Sequence, residues 1–338
     1  MSQSSQNQHY ALGLTEFTYV DSSRIFDGQP RQLEVALWYP TPDIAPLQKM
    51  YDETWKIKDV IKNASFPANT KLPLIIFSHG YSSNQWQNSW FAENFTLNGY
   101  IVAAVRHYGN SMPNMIPEIC VRPWNRPQDM SFVLDELLKS DYAEYIDINR
   151  IGAAGFSQGG VACFWLAGTR AHLTPENIKQ QMVMMFEPEM QAIHFKGIPQ
   201  ERLDALLDDF TKHDFEQANQ SYYDARFKAV FAMAPGIDDQ NVMFTQQGLA
   251  QVKTPTYIIT GESDEGTIEQ TPFFAHNIPY CTCTILSGQV THWTLLNKGT
   301  EEGKINRPSH TLDDPSINRE EVHGVVALEA LMFFNKHL

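Results

Sequence analysis

The sequence predicts an α/β protein: a mostly parallel central sheet flanked by helices, with a helical cap inserted in the second half. Three observations predict it. Near-continuous apolar runs at Pro73-Leu74-Ile75-Ile76-Phe77, Tyr100–Val105 and Ile148–Gly155 read as strands buried on both faces. Helix-like stretches separate them, so strand and helix alternate as far as Ser157. After Gly168, residues 171–226 intervene before the next apolar run, far more than the ~2–6 residues of an ordinary αβ loop.

Taken in order, residues 10–20 and 32–40 read as two β segments joined through Asp27-Gly28-Gln29-Pro30. Pro40 and Pro42 end that pattern, and residues 43–70 are mixed, with a helix expected around Thr54–Lys62. The strand at Pro73–Phe77 stops at Ser78-His79-Gly80-Tyr81-Ser82-Ser83. A helix-like stretch from Asn84 to Leu97 follows and Gly99 closes it. Residues 107–126 read as irregular. Pro127 opens a helix whose face carries Met130, Val133, Leu134 and Leu137. The insert 171–226 is polar and helix-rich, with apolar spacing over Ile198–Phe210 and a Met cluster at Met182, Met184 and Met185. Strands resume at Lys228–Ala234, Thr256–Thr260 and Thr282–Leu286. The chain closes with a helix over Arg319–Leu338, its apolar positions Val322, Val325, Val326, Leu328, Leu331, Met332 and Phe334 set against the sheet. The expected organisation is a core over residues 1–170, a cap over 171–226 and the rest of the core over 227–338.

Composition narrows the function. The net charge of −14 leaves no basic surplus to neutralise phosphates, which argues against nucleic acid as a partner. No apolar run reaches the ~18 residues of a transmembrane helix. The polar opening Met1–His9 lacks a signal-peptide core and points to the cytoplasm; a leader removed beforehand would leave the same start. Cys120, Cys163, Cys281 and Cys283 show no zinc or C-x-x-C spacing, so neither a metal nor a disulfide framework is implied. Cys281-x-Cys283 places two thiols on one strand face, as small core residues. Gly299–Lys304 lacks the spacing of a phosphate-binding loop. No cofactor is expected.

The chemistry centres on Gly155-Phe156-Ser157-Gln158-Gly159. An apolar strand runs into this G-x-S-x-G pattern and a small-residue helix leaves it, which is the layout of a nucleophile elbow with Ser157 at its tip. Glycines are needed at Gly155 and Gly159 because side chains two residues either side of so tight a turn would collide. A serine hydroxyl needs a base, the base needs an orienting carboxylate, and the oxyanion needs fixed donors. In an elbow-type sheet the order is Ser, acid, His, each on a loop after a later strand. His292 sits just beyond the last strand. Asp264 follows the strand at 256–260, with Glu262 and Glu265 as neighbours, while Asp238 and Asp239, after the preceding strand, are the alternative acids. The oxyanion donors expected are the backbone amides of Gln158 and Tyr81. The Tyr81 ring and Trp293 are expected to line the substrate pocket.

With these parts in place, the chain resembles an α/β-hydrolase. Leu37-Trp38-Tyr39-Pro40, Ser78-His79-Gly80, Arg126-Pro127 with Asp129 and Val133-Leu134-Asp135, and Ala153–Gly160 resemble the bacterial group described as predicted dienelactone hydrolases. That group is similar to the platelet-activating factor acetylhydrolases, which the Gln289–Trp293 loop and the closing Phe334–Leu338 also fit. These motifs cover most of the chain outside 43–70 and 171–226, and they are specific for the superfamily rather than the subfamily. Two departures matter. Dienelactone hydrolases proper use a Cys nucleophile where this chain has Ser157. The acetylhydrolases carry their acid after the strand matching Lys228–Ala234, where this chain has no carboxylate until Asp238, and that favours Asp264. Gly80-Tyr81-Ser82-Ser83 and the Trp90 region resemble polyester cutinases, which lack an insert like 171–226.

The expected function is hydrolysis of a small carboxylic ester, short-acyl or lipid-like, through an acyl-enzyme on Ser157. The alternatives are cutinase- or lipase-type activity, an amidase or peptidase with the same triad, and a catalytically silent binding protein. The last requires a broken catalytic position, and the sequence has none.

Overall fold

The structure is a computed structural model that describes residues 10–178, 194–236 and 243–338. Strands β1 (Ala11–Phe26) and β2 (Gln29–Thr41) form a long antiparallel hairpin, and β3 (Ile61–Lys62) runs parallel to β1. The core strands are β4 (Leu72–Ser78), β5 (Ile101–Arg106), β6 (Ile146–Phe156), β7 (Phe227–Met233), β8 (Thr256–Gly261) and β9 (Cys281–Leu286). All belong to one sheet of order β9-β8-β7-β6-β4-β5-β2-β1-β3. Every pairing from β5 through β4 to β9 is parallel, and β2 joins β5 antiparallel. The loops after β4, β6, β8 and β9 therefore open at one edge of the sheet, where ligands of open α/β sheets are bound.

The sheet is covered on both sides. Along β4 the side chains alternate: Leu74 and Ile76 enter one apolar cluster, Ile75 and Phe77 the other. The first cluster takes up α2 (Asn125–Lys139), through Met130, Val133, Leu134 and Leu137, and α3 (Gln158–Ala167). The second takes up α1 (Ser89–Leu97) and the terminal α7 (Arg319–His337). Of the insert, the described part carries α4 (Gln200–Asp208) and α5 (Lys212–Asn219), whose Leu203, Leu206 and Ala218 join the first cluster. Two ion pairs dock them on the segment before α2, Arg202 to Glu118 at 2.6 Å and Arg122 to Asp214 at 2.7 Å. Met182, Met184 and Met185 lie outside the described residues. Helix α6 (Thr271–Asn277) links β8 to β9. Among the described residues no helix is long and apolar enough to cross a membrane.

Four expectations need correction. Thr54–Lys62 is not a helix. Its buried Trp55 and half-buried Ile57 alternate with exposed neighbours, Trp55 bridges to Gly299, and Ile61–Lys62 pairs with β1. The β-branched Ile57, Val60 and Ile61 fit that extended path better than a helix. The helix expected from Asn84 begins only at Ser89. Asn84 accepts a bond from the Trp86 amide at 2.9 Å and Asn88 donates to the Leu295 carbonyl at 2.9 Å, so both side chains serve turns. The stretch 107–126 holds a small hairpin, Asn110–Ser111 with Asn114–Met115, and a helical turn at Pro117–Cys120. Finally, β9 is an edge strand on which Cys281 is half-buried and Cys283 exposed, so neither is a core residue.

Helix α7 shows a related difference. It packs through His323, Val326, Ala327, Ala330, Phe333 and Phe334, while Val325, Leu328 and Met332 face outward. Phe334 is fully buried and closes a ring cluster with Phe95 at 5.7 Å and Phe231 at 6.3 Å. His323 stacks on Trp90 of α1 at 4.1 Å and donates its Nε2–H to the Thr294 carbonyl at 3.0 Å. Burial pushes its pKa down to about 4, and nearby Arg319 adds to the fall.

Two predictions follow from this packing. Phe334→Ala leaves a cavity at a ring cluster and is expected to lower stability by about 3–5 kcal/mol, read from urea denaturation with helical dichroism retained. For His323 the folded pKa lies below the unfolded one. The unfolded chain therefore takes up a proton that the native state refuses, and stability falls as pH drops from ~6.5 toward 4, by up to about 1.4 kcal/mol per pH unit. His323→Gln keeps a donor for Thr294 without that proton. Its unfolding free energy is expected to fall less steeply between pH 7 and 5; a slope equal to wild type would show that His323 does not titrate this way.

Candidate active site

The elbow forms where β6 turns into α3. Ser157 sits between them at φ 54° and ψ −121°, a strained backbone for a non-glycine residue. Its amide is held by the Met233 carbonyl at 2.8 Å and its carbonyl receives the Val161 amide at 3.1 Å. The glycines are dictated by contact distances. A Cβ on Gly155 would lie 2.3 Å from the Gly159 carbonyl carbon, and one on Gly159 would lie 2.0 Å from the Ser78 carbonyl oxygen. The turn therefore brings the start of α3 directly onto the end of β4.

The structure brings Asp264 to His292. Asp264 Oδ2 accepts a hydrogen bond from His292 Nδ1 at 2.8 Å, which directs Nε2 away from the acid. Asp264 is fully buried, and its Oδ1 takes the Thr267 amide at 3.2 Å. The two loops are laced together: Glu262 N–H donates to Leu286 O at 2.8 Å, and Ser263 N–H to Val290 O at 3.0 Å. Gly261 permits this, since a Cβ there would lie 2.1 Å from the Val290 oxygen. Glu262 is committed elsewhere, its Oε2 accepting from the Gly288 amide at 2.6 Å and tying the histidine loop. Asp238 and Asp239 lie outside the described residues.

His292 opens a short helical turn, His292–Leu295, whose capping box pairs Thr291 with Thr294. Thr294 Oγ1 donates to Asp313 at 2.9 Å, and Asp313 is in turn gripped by the buried Arg319. The base is therefore carried on a braced turn rather than a free loop. Its ring lies 4.6 Å from that of Phe156, the residue before Ser157. No hydrogen bond joins Ser157 Oγ to His292, a looseness common in such sites before substrate arrives.

The Gln158 amide is the first of α3 and the Tyr81 amide stands just after β4. Among the described residues neither has an intramolecular acceptor. A Cβ on Gly80, next to Tyr81, would lie 3.5 Å from the Ser157 Cβ, so the loop borders the elbow. Backbone donors without an internal acceptor beside an elbow serine can hold a developing oxyanion.

Around this centre lies an aromatic rim. The Trp293 ring meets that of His292 edge-on at 5.2 Å and lies tilted against that of His310 at 4.0 Å, and Trp293 remains 37 % exposed. The Tyr81 ring meets His194 edge-on at 5.4 Å. Burial, reinforced by Arg307 and His310, pushes His194 down to about 4, so it is neutral at pH 7. Sequence reasoning expected Tyr81 and Trp293 at the pocket; His194 and His310, whose rings meet theirs, were not among its candidates. His310 lies beyond the last strand by two short helices, Glu301–Asn306 and Pro308–Thr311, and no motif surrounds either histidine.

Comparison with known proteins agrees with the fold. The family described as platelet-activating factor acetylhydrolase, isoform II, matches residues 46–116. Dipeptidyl-peptidase 5 of Porphyromonas gingivalis is 30% identical over 129 residues, which is 34% of this chain and 17% of the peptidase. The enzyme of the same name from Porphyromonas endodontalis is 30% identical over 123 residues, 32% of this chain and 16% of that one. The match thus spans less than a fifth of either relative. A solved ferulic acid esterase from Streptomyces cinnamoneus superposes with a TM-score of 0.63 at 18% identity, covering 97% of this chain and 90% of the esterase. By its sheet order, its elbow and these likenesses, the chain has an α/β-hydrolase-type fold and resembles the platelet-activating factor acetylhydrolases over part of its length.

Proposed function

We propose that the chain hydrolyses small carboxylic esters, short-acyl or lipid-like, through an acyl-enzyme on Ser157. The observation that carries this reading is the Asp264–His292 pair at 2.8 Å together with a strained elbow serine at the start of a helix. Ser157 Oγ attacks the ester carbonyl as its proton passes to His292 Nε2. The tetrahedral oxyanion rests on the Gln158 and Tyr81 amides, while buried Asp264 stabilises the imidazolium. Collapse expels the alcohol with the proton from His292. Water, activated by the same histidine, then attacks the acyl-enzyme and frees the acid and Ser157. Tyr81, Trp293 and His310 offer flat, weakly polar walls that suit an apolar acyl or alcohol group. In this reading residues 171–226 form a cap over the site, of which His194 reaches the Tyr81 ring.

The 30% identity with two dipeptidyl-peptidases over a third of the chain supports a second reading, cleavage of a peptide amide with the same groups. The test is a p-nitrophenyl ester series of rising chain length run beside dipeptidyl p-nitroanilides, with fluorophosphonate labelling and peptide mapping. Esterase activity peaking at C2–C4, with label on Ser157, is expected. Faster turnover of the anilides would move the peptidase reading to the front, and absence of both turnover and label would leave a binding protein. Ser157→Ala is expected to reduce kcat by at least ~10⁴-fold and Asp264→Asn by about 10⁴-fold, without loss of fold.

A further inference from the structure

Beneath the Tyr81 loop lies a buried cluster that the mechanism above does not use. Arg126, at the start of α2, is 2 % exposed. Its guanidinium donates through Nη1 to the His79 carbonyl and to Ser78 Oγ at 3.3 Å, and through Nη2 to the Gly80 carbonyl at 3.0 Å and Asn110 Oδ1 at 2.5 Å. His79 Nδ1–H donates to the same Gly80 carbonyl at 2.7 Å. The other nitrogen of His79 accepts from the His107 amide at 3.2 Å and from Ser111 Oγ–H at 2.9 Å, so one tautomer satisfies all three contacts.

The cluster is balanced by Asp129. This fully buried carboxylate accepts from Arg31 at 2.6 and 2.7 Å, from His107 Nδ1 at 2.8 Å, and pairs with Arg24 at 2.8 Å. His107 in turn accepts the Ser78 hydroxyl at 2.8 Å. Ser78, His107 and Asp129 thus form a second Ser-His-Asp string, but all three are buried and lie behind the loop. Burial, with the Arg126 charge beside them, pushes His79 well below its ordinary value and His107 to about 4, so both stay neutral hydrogen-bonding groups at pH 7.

We propose that Arg126 is a positioning residue that presets the Tyr81 amide as an oxyanion donor. In a trans peptide the C=O and N–H point in opposite directions. The Gly80–Tyr81 unit is trans, and Arg126 and His79 draw its oxygen into the interior. Its N–H is therefore aimed the other way, from a loop that borders Ser157. Holding the preceding His79 carbonyl as well stops the two peptide planes from flipping together. A planar fork can grip two carbonyls at once, whereas a lysine ammonium is a point donor. Arg126 touches no reacting atom and acts only through the loop.

This inference rests on the hydrolytic reading, and the experiment separates the two. kcat and KM for p-nitrophenyl butyrate, the pH profile of kcat, and the rate of fluorophosphonate inactivation are measured for wild type, Arg126→Lys and Asn110→Ala, with thermal melts of each. Arg126→Lys is expected to lose roughly 10²-fold in kcat, as when one oxyanion donor is removed. KM should change little and the pH profile should keep its midpoint, since Asp264 and His292 are untouched. Inactivation should slow in parallel, because the phosphonyl oxygen uses the same donors. Asn110→Ala, which frees only one side of the fork, should show a smaller kcat loss of the same kind. A folded Arg126→Lys with wild-type kcat overturns the role, as does a loss that appears in KM alone. If Arg126→Lys does not fold, unchanged kcat in Asn110→Ala overturns it. A wild type that neither hydrolyses esters nor takes the label refutes the hydrolytic reading itself.

Discussion

The site depends on one close approach, that of the α3 N-terminus to the end of β4. With no side chain at Gly159, its backbone rests against the Ser78 and His79 carbonyls, where a Cβ would come within 2.0 and 2.8 Å of them. This brings the Gln158 end of α3 and the Gly80–Tyr81 loop together at Ser157. The strained Ser157 backbone costs about 1–3 kcal/mol, which must be offset elsewhere. Helix α3 offsets it, since all ten of its residues are buried between the sheet and α2. The elbow is thus a local strain held in place by a large apolar contact.

Electrostatics is arranged in two compartments. Asp264 and His292 form a sparse pair, in which the buried carboxylate has a single basic partner among the described residues. In the proposed mechanism the proton taken by His292 faces that one carboxylate. Behind the loop the arrangement is opposite. Asp129 is saturated by Arg31, Arg24 and His107, and its carboxyl lies far below the usual range because of those arginines, which outweigh its burial. A saturated cluster does not titrate near pH 7 and serves as a rigid support. Both compartments are Ser-His-Asp in composition, and they differ in the arginines around the carboxylate and in exposure. His292 retains 19% side-chain exposure, whereas His107 has none.

The core strands and the elbow were readable because each carries a local signature: a run of β-branched and aliphatic residues, or a glycine spacing that only one turn tolerates. The Thr54–Lys62 segment misled because its backbone partners, Gly299, Gln48 and β1, are remote in sequence. The terminal helix was placed correctly, but its apolar residues go round the cylinder, so periodicity did not choose between the Val326–Phe334 face and the Val325–Met332 face. Cys281 and Cys283 were assigned to the core, but on the edge strand β9 Cys281 only borders it and Cys283 is exposed.

The sequence by itself determined the elbow, the candidate nucleophile and base on its loops and the order of the strands that carry them, because these follow from spacing along one chain. It narrowed the acid to a few carboxylates. The tertiary structure decided more finely. It committed Glu262 to the Gly288 amide and brought Asp264 within 2.8 Å of His292. It also drew His194 and His310 to the aromatic rings of Tyr81 and Trp293 and set Arg126 beneath the Tyr81 loop. Each of these is a contact between segments distant in sequence, 46 residues for Arg126 and Gly80 and 28 for His292 and Asp264. Local propensity carries no record of such meetings; they arise only when the sheet closes and the loops at its edge converge.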